Sequence, residues 1–307
     1  MSCETPLVSV VLPVFGNLQD LETTVDSILH QSLSAFELII IDDGNHGADR
    51  DAIAAVARRD ARIRVLQNPT NRGATVSNML GCRAARGRYI AKIDNGDLMV
   101  PRTRLEEQVS LLEEDPSLAI VGGGLEIVDA LNGHCYRSRP EYLRHEEIVS
   151  KPGYLTYFPQ VTVMMRTSAY VQSGGYNPQL PVGADTDLWP RILRYGRGLL
   201  VPTVYAVAVM KPGSISVARN NKQILSKIDK IRQSRTQGGL RPSNLYKQIL
   251  IAVEFGKLAL PDRIRVFLRY RKQMNYVYPI DKDTARSLAA VRRFYSQKGL
   301  YPLTQTQ

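Results

Sequence analysis

Three observations predict an α/β fold with a mostly parallel sheet. Short β-branched runs recur about thirty residues apart, segments of helical apolar spacing lie between them, and turn residues close each run. Leu7–Pro13 reads as the first strand. Leu18, Leu21, Val25, Ile28 and Leu29 follow helical spacing and predict a helix over 18–31. Glu37–Ile41, closed by Asp42-Asp43-Gly44, is the second strand and completes a βαβ unit. A third strand at Ile63–Leu66, a helix from Ala74 to Ala85 and a fourth strand at Tyr89–Ile93 follow, and the fourth runs into Asp94-Asn95-Gly96-Asp97. Alternating strands and helices place helices on both faces of such a sheet, and ligands bind at the carboxyl ends of its strands. Asp42, Asp43, Asp94 and Asp97 are therefore expected at one cleft.

Beyond the fourth strand the spacing predicts a helix over Leu105–Leu112 and strands within Leu118–Val128, where Gly122-Gly123-Gly124 marks the close approach of another backbone. A strand at Val161–Arg166 and a helix at Asp187–Tyr195 follow, with Asp187 as its N-cap and Pro190 in its first turn.

The chain has 307 residues, 44% apolar and 22% charged, which excludes disorder, collagen and a disulfide scaffold. Its net charge of +11 is uneven: residues 220–307 hold 18 Lys and Arg against 5 Asp and Glu. This divides the chain into a domain at 1–219 and a basic, mainly helical region at 220–307. The helical segments are Asn221–Arg235, Leu245–Leu258, Arg263–Gln273 and Thr284–Gln297. A basic attachment of this kind faces phosphate. Within Leu260–Lys272 the apolar Leu260, Ile264, Phe267 and Leu268 share one helical face and Arg265, Arg269 and Lys272 a flank, which suits an anionic membrane surface. The alternative is a helix packed on the main domain. Tyr270, Tyr276, Tyr278 and Tyr295 come with no nucleic-acid-binding motif, so no nucleic acid is expected.

Cys3, Cys82 and Cys135 are odd in number and lack metal-like spacing, which predicts free thiols in a reducing compartment. The first residues carry no export signal, so a cytoplasmic location is expected. The apolar stretches Leu118–Val128 and Leu199–Met210 fall short of the ~20 residues that cross a bilayer, so any membrane contact is expected to be peripheral. His30, His46, His134 and His145 are scattered and predict packing or surface roles.

Several motifs stand in order: Val8–Phe15, Ser27–Ser32, Phe36–Gly44, Asn71-Arg72-Gly73, Ala85–Ala91, the acidic turn at Asp94, Gly174-Gly175-Tyr176 and Asp185–Trp189. Over about 210 residues they resemble the family 2 inverting glycosyltransferases of bacterial surface-polysaccharide type. The resemblance implies a GT-A fold, the Rossmann-like nucleotide-diphospho-sugar transferase architecture, with a helical basic C-terminal extension. A sugar nucleotide would lie over the N-terminal half of the sheet and an acceptor beside the C-terminal half.

By resemblance, Pro13, Phe15 and Asp43 grip the nucleotide. The ring of Phe15, in place of the commoner Tyr, would pack on the base, and the Asp43 carboxylate would accept a base N–H. Read alone, Asp-Asp-Gly is equally a turn after a strand. Arg72 and Arg104 offer guanidinium forks for phosphate or are plain surface residues. The family's Asp-x-Asp, which holds Mg²⁺ or Mn²⁺, here reads Asp94-Asn95-Gly96-Asp97, with Gly96 where the metal-binding Asp would stand. Asp94 then falls in the ribose and metal region and Asp97 becomes the substitute ligand, the alternative being simple turn chemistry.

Asp185 aligns with the general base, preceded by Ala184 rather than Glu. Gly174-Gly175-Tyr176 would shape the acceptor cleft, and Lys211–Ser216, without the usual His, would lie near the diphosphate. The implied activity is inverting transfer of a hexose or N-acetylhexosamine from a nucleotide sugar, UDP-sugar favoured, to a saccharide or lipid-linked saccharide acceptor. Gly96 and Ala184 leave open a catalytically weakened sugar-nucleotide-binding or scaffold protein.

Overall fold

The first strand, β1 (Val8–Val14), is buried along almost its whole length, as a strand covered on both faces of a sheet must be. The computed structural model describes residues 5–16, 18–129, 134–137, 143–150, 158–181, 183–210, 276–279 and 288–297. β1 pairs in parallel with β2 (Phe36–Asp42) on one side and with β4 (Tyr89–Lys92) on the other, and β2 pairs in parallel with β3 (Ile63–Gln67). The helices α1 (Leu21–Leu29), α2 (Ala48–Ala57) and α3 (Ala74–Arg83) make the crossovers. There follow β5 (Asp97–Met99), α4 (Arg104–Glu114), β6 (Leu118–Asp129), β7 (His134–Arg137), α5 (His145–Ser150), β8 (Met164–Arg166), α6 (Thr167–Gln172), α7 (Ala184–Ile192) and β9 (Arg197–Met210). The strand β10 (Tyr276–Pro279) and the helix α8 (Leu288–Gln297) complete the described elements.

The sheet runs β10-β7-β6-β8-β4-β1-β2-β3, with β9 lying against both β6 and β5. Its N-terminal half is parallel. In its C-terminal half the long parallel β6–β9 pairing is combined with antiparallel neighbours, so parallel pairs still account for most of the paired residues.

Side-chain alternation along β1 divides the core in two. Val8, Val10, Leu12 and Val14 pack with Val25 and Ile28 of α1, Ile53 and Val56 of α2, and Leu105 and Leu112 of α4. Val11 packs on the other face with Ile39, Ile41 and Ile90 beneath α3, α6 and α7. Each such aliphatic side chain taken from water contributes about 1.5–3 kcal/mol. Helix α3 lies especially close: a Cβ on Gly81 would stand 2.6 Å from Ile41 Cδ1.

Local differences from the sequence reading have physical causes. The helix expected over 18–31 opens with a 3-10 turn at Leu18–Asp20, and α2, with only Ile53 and Val56 buried, carries too thin an apolar stripe to stand out. The strand expected at Val161–Arg166 is a 3-10 turn at Gln160–Thr162 followed by β8. Helix α7 starts at Ala184, behind Gly183 in the left-handed region, so Asp187 is not its N-cap. Asp187 instead pairs with Arg191 at 2.6 Å one turn on, and Pro190 falls in the second half of the helix. The apolar stretch Leu199–Met210 is the body of β9. The glycine run on β6 does meet a close neighbour, since a Cβ on Gly123 would strike Thr203 O at 2.6 Å.

Of the basic region, β10 pairs antiparallel with β7, and α8 buries Val291 beside Leu98, Val100, Val128 and Val207. Arg292 of α8 reaches Asp26 of α1 at 3.1 Å. The segments Asn221–Arg235, Leu245–Leu258, Leu260–Lys272, Arg263–Gln273 and Lys211–Ser216 lie outside the described residues. Among the described residues no helix is long and apolar enough to cross a membrane.

Arg104 departs from the sequence expectation. It is fully buried, not a surface donor for phosphate. Its guanidinium donates to Gln108 Oε1 at 3.0 Å, to the carbonyl of Tyr205 on β9 at 2.9 Å and to that of Lys92 on β4 at 3.1 Å. Burial pushes its pKa down to about 9. Arg104→Leu should lower unfolding free energy by about 2–4 kcal/mol, because two buried carbonyls lose their charged donor. Urea denaturation reads this directly, and a loss below about 1 kcal/mol would mean that other donors replace it.

Candidate active site

The carboxyl end of β2 is organised by its two acids. Asp42 accepts from the backbone and side-chain N–H of Asn45 at 2.8 and 2.7 Å, and Asn45 in turn bonds Val14 O and Gly16 N–H, which fixes the turn after β1. That turn presents Phe15 at 57% exposure, an apolar ring held in solvent beside the strand ends. Asp43 is buried, and its carboxylate accepts from Asn68 Nδ2 at 2.7 Å and from the backbone N–H groups of Arg72 and Gly73 at 2.9 Å each. Gly73 caps the N-terminus of α3, where a negative charge is favoured by the helix dipole. Gly44, at φ +82°, lies so close to this loop that a Cβ would fall 2.7 Å from Thr70 Cα. Asp43 thus latches the 68–73 loop to the sheet and leaves the Arg72 side chain exposed above it.

The second cluster forms past β4. Asp94 stands two residues beyond Lys92, partly accessible, and burial together with the nearby Asp185 raises its pKa, while Lys92 and a hydrogen bond from Gln160 oppose the rise. Gly96 sits at φ +95°, and its N–H donates to Thr24 Oγ1 at 3.1 Å. Asp97 opens β5, and its carboxyl accepts from the backbone of Val209 on β9. Burial first, then the charges of Asp94 and Asp20, hold its pKa well above the usual range. Lys92 itself is buried beneath the turn, donating to Val11 O at 3.0 Å and to Asn78 Oδ1, with its pKa lowered by burial.

Asp185 occupies the first turn of α7 and remains partly exposed. Two bonds seat this helix and the segment before it. Trp189 Nε1 donates to Phe158 O at 3.0 Å, and Thr75 Oγ1 of α3 donates to Leu180 O at 2.6 Å, just before the helix. Asp94 and Asp185, far apart in sequence, therefore act on one another electrostatically, and both act on the buried Tyr176. Among the described residues no three His, Cys, Asp or Glu side chains gather as a metal-holding group.

The structure brings Asp94, Asp97 and Asp185 into one acidic neighbourhood, and places Pro13, Phe15, Asp43 and Arg72 at the neighbouring ends of β1 and β2. Lys92 and Gln160 were not anticipated. The signal for Lys92 was present, as a lone cation in an otherwise apolar strand; Gln160 offers none, because its role depends on which residues fold around it. His30 and His145 bond to backbone groups, of Asp26 and Gly198, in keeping with packing roles.

Residues 9–173 match the sequence family described as Glycosyl transferase family 2. The chain is 35% identical over 197 residues to the putative glycosyltransferase EpsE of Bacillus subtilis, covering 62% of this chain and 68% of that protein. It is 29% identical over 193 residues to the putative teichuronic acid biosynthesis glycosyltransferase TuaG of Bacillus subtilis, covering 62% and 73%. Among solved structures it resembles S. aureus TarS 1–349 in complex with UDP, with a TM-score of 0.59, 15% identity and coverage of 98% of this chain and 94% of that one. It also resembles the mannosyltransferase PcManGT from Pyrobaculum calidifontis in complex with GDP-Man and Mn²⁺, with a TM-score of 0.57, 18% identity and coverage of 96% and 81%. At these identities the structural likeness establishes the fold, which is GT-A-like.

Asp43→Ala removes the acceptor of the Arg72 N–H and one of the two acceptors of Gly73 N–H and of Asn68 Nδ2, which keep Asn71 Oδ1 and Ser77 Oγ, and should destabilise the protein by about 1–2 kcal/mol. Hydrogen exchange at residues 68–73 should accelerate more than exchange in β1. Unchanged protection of that loop would refute the latch.

Proposed function

The chain belongs to glycosyl transferase family 2, and on that premise we propose that it moves a hexose or N-acetylhexosamine from a nucleotide sugar to a saccharide acceptor with inversion at the anomeric carbon. The observation that carries this reading is the meeting of partly exposed Asp94 and Asp185 beside strand ends that offer Phe15 and Asp43. Phe15 packs on the base, Pro13 and Asp43 frame its pocket, and exposed Arg72 faces the phosphates. Asp185 takes the proton of the acceptor hydroxyl as that oxygen bonds to the anomeric carbon. The bond from that carbon to the diphosphate oxygen breaks, and the nucleoside diphosphate departs.

Asp94 and Asp97 fit a divalent cation of the Mg²⁺ or Mn²⁺ kind. Such ions accept one or two carboxylates together with substrate phosphate oxygens, and Asp94 and Asp97 supply two hard oxygen donors that act on one another, with the buried Lys92 as the cation beside Asp94. When bound, the cation offsets the charge that develops on the departing diphosphate.

UDP is the favoured nucleotide, in keeping with the UDP held by TarS; GDP is the rival, given the GDP-Man held by PcManGT. A lipid-linked acceptor of cell-surface polysaccharide synthesis agrees with the relative named for teichuronic acid biosynthesis. The basic residues of 220–307 would then bring the enzyme to the cytoplasmic face of an anionic membrane. A second reading, a sugar-nucleotide-binding protein of weakened catalysis, is favoured by two positions. Gly96 holds a backbone conformation that an aspartate adopts at a cost, and Ala184 is buried where a glutamate would need solvent.

A thermal-shift screen against UDP-, GDP-, dTDP- and CMP-sugars, each with and without Mn²⁺, separates these readings, because a ligand of the native state raises Tm. One nucleotide with a Mn²⁺-dependent shift is expected. Asp185→Asn should keep that shift and lose about 10²–10⁴-fold in kcat. Full turnover in this variant would remove Asp185 as the base, and binding without turnover in the wild type would favour the second reading.

A further inference from the structure

The acidic turn is held from outside by α1 at two points. Gly96 N–H donates to Thr24 Oγ1 at 3.1 Å and Met99 N–H donates to Ser27 Oγ at 3.0 Å, both hydroxyls being buried and one helical turn apart. Ser27 Oγ gives its own proton to Thr24 O at 2.6 Å, which leaves its lone pairs to Met99. Within the turn, Asp97 N–H donates to Asp94 O at 3.1 Å. The backbone that carries both acids is therefore set by the position of α1.

Both α1 and β5 are in turn gripped by α8, from the far end of the chain. Between Thr24 and Ser27 stands Asp26, whose carboxylate accepts from Arg292 of α8 at 3.1 Å and from Arg59, just past α2, at 2.5 Å. The neighbouring Val291 is fully buried beside Leu98, Val100, Val128 and Val207, and Leu98 is the residue next to Asp97. Departure of α8 would expose Leu98 and Val100 and release one cation from Asp26. The helix thus touches both supports of the acidic turn, the one that holds its N–H groups and the strand that continues it.

We propose that Val291 and Arg292 are positioning residues: docked on β5 and α1, they hold the acidic turn where Asp94 and Asp97 meet the donor diphosphate and its cation, so that loosening α8 weakens donor binding. This rests on the reading of Asp94 and Asp97 as donor-site residues. It gives the end of the basic C-terminal region a task in the donor site, separate from any contact with a membrane.

The test compares variants of the full chain. Val291→Thr keeps the side-chain volume and places a hydroxyl in the apolar cluster, Arg292→Met removes the charge of α8 on Asp26, and Arg59→Met removes the other cation on the same carboxylate from the side of α2. Hydrogen exchange is read at Gly96 and Met99, with β3 as the remote reference, and UDP-glucose, UDP-N-acetylglucosamine, GDP-mannose and dTDP-rhamnose are titrated with Mn²⁺. Exchange at Gly96 and Met99 should rise about tenfold in Val291→Thr, the scale of an unpaired hydroxyl among apolar groups. In Arg292→Met, which breaks a partly exposed pair, it should rise about threefold to fivefold. The Kd of whichever donor the wild type binds best should rise by similar factors, with the acceptor KM and the exchange of β3 unchanged. Arg292→Lys should restore most of the affinity, and Arg59→Met should leave exchange and Kd within about twofold of wild type.

Equal effects of Arg59→Met and Arg292→Met, faster exchange at Gly96 and Met99 with unchanged donor Kd, unchanged exchange there, or a uniform rise that includes β3 would each overturn the proposal while leaving the glycosyltransferase reading intact. A wild-type protein that binds none of the four sugar nucleotides would overturn both.

Discussion

A buried guanidinium holds the two halves of this sheet in register. Arg104 is among the largest fully buried side chains, and its described partners are carbonyls and one amide, with no carboxylate among them. A cation in that position is tolerated because several strong donors meet acceptors that would otherwise be unpaired, and each of those acceptors loses more if the donor is removed than the bond adds in isolation. The chosen carbonyls matter for function. Lys92 ends the strand that delivers Asp94, Tyr205 belongs to the strand that faces β5 and Asp97, and Gln108, the amide partner, holds the turn that carries Gln160. One side chain therefore ties together β4 and β9, and through Gln108 the 158–162 segment, while α7 with Asp185 is seated separately through Trp189.

The ends of β1 and β2, proposed to hold the nucleotide, are built by a different device. Asp43, read from sequence as a base-recognising group, spends its oxygens on Asn68, Arg72 and Gly73. These bonds hold the 68–73 loop to the sheet, and in the proposed reading any acceptance of a base N–H adds to this work. The Asp-Asp-Gly turn is thus both of the things that the sequence left open: a turn after a strand, and a carboxylate at the ligand-binding edge. Gly44 serves the same contact, because the loop backbone occupies the space of a side chain.

At the acidic end, charge is crowded. Asp94 and Asp97 are each raised by burial and by other carboxylates, with Lys92 below as a buried counterweight. Such an arrangement is costly for folding alone and is the kind of local conflict found where a site must meet a charged ligand. Gly96 and Ala184, the two departures from the family's acidic pattern, have local reasons. The first follows from a positive φ in the turn and the second from burial at the start of α7.

The sequence by itself determined the order of the first four strands with α1 and α3, the strand-end placement of Asp43 and Asp94, and the likeness to a known enzyme family, since apolar periodicity, turn residues and short motifs are local properties. It could not tell that Arg104 faces the core, that α7 begins at Ala184, or that Gln160 and Lys92 come to act on Asp94. An arginine on a helix carries no mark of burial in its own neighbourhood. Its environment is made by β4, β9 and residues 158–163, which come from distant parts of the chain. The same holds for the meeting of Asp94 with Asp185: each is placed by its own local element, but their mutual repulsion exists only once the sheet has closed and α7 has docked, because Coulomb interactions depend on distance in space and not on separation along the chain.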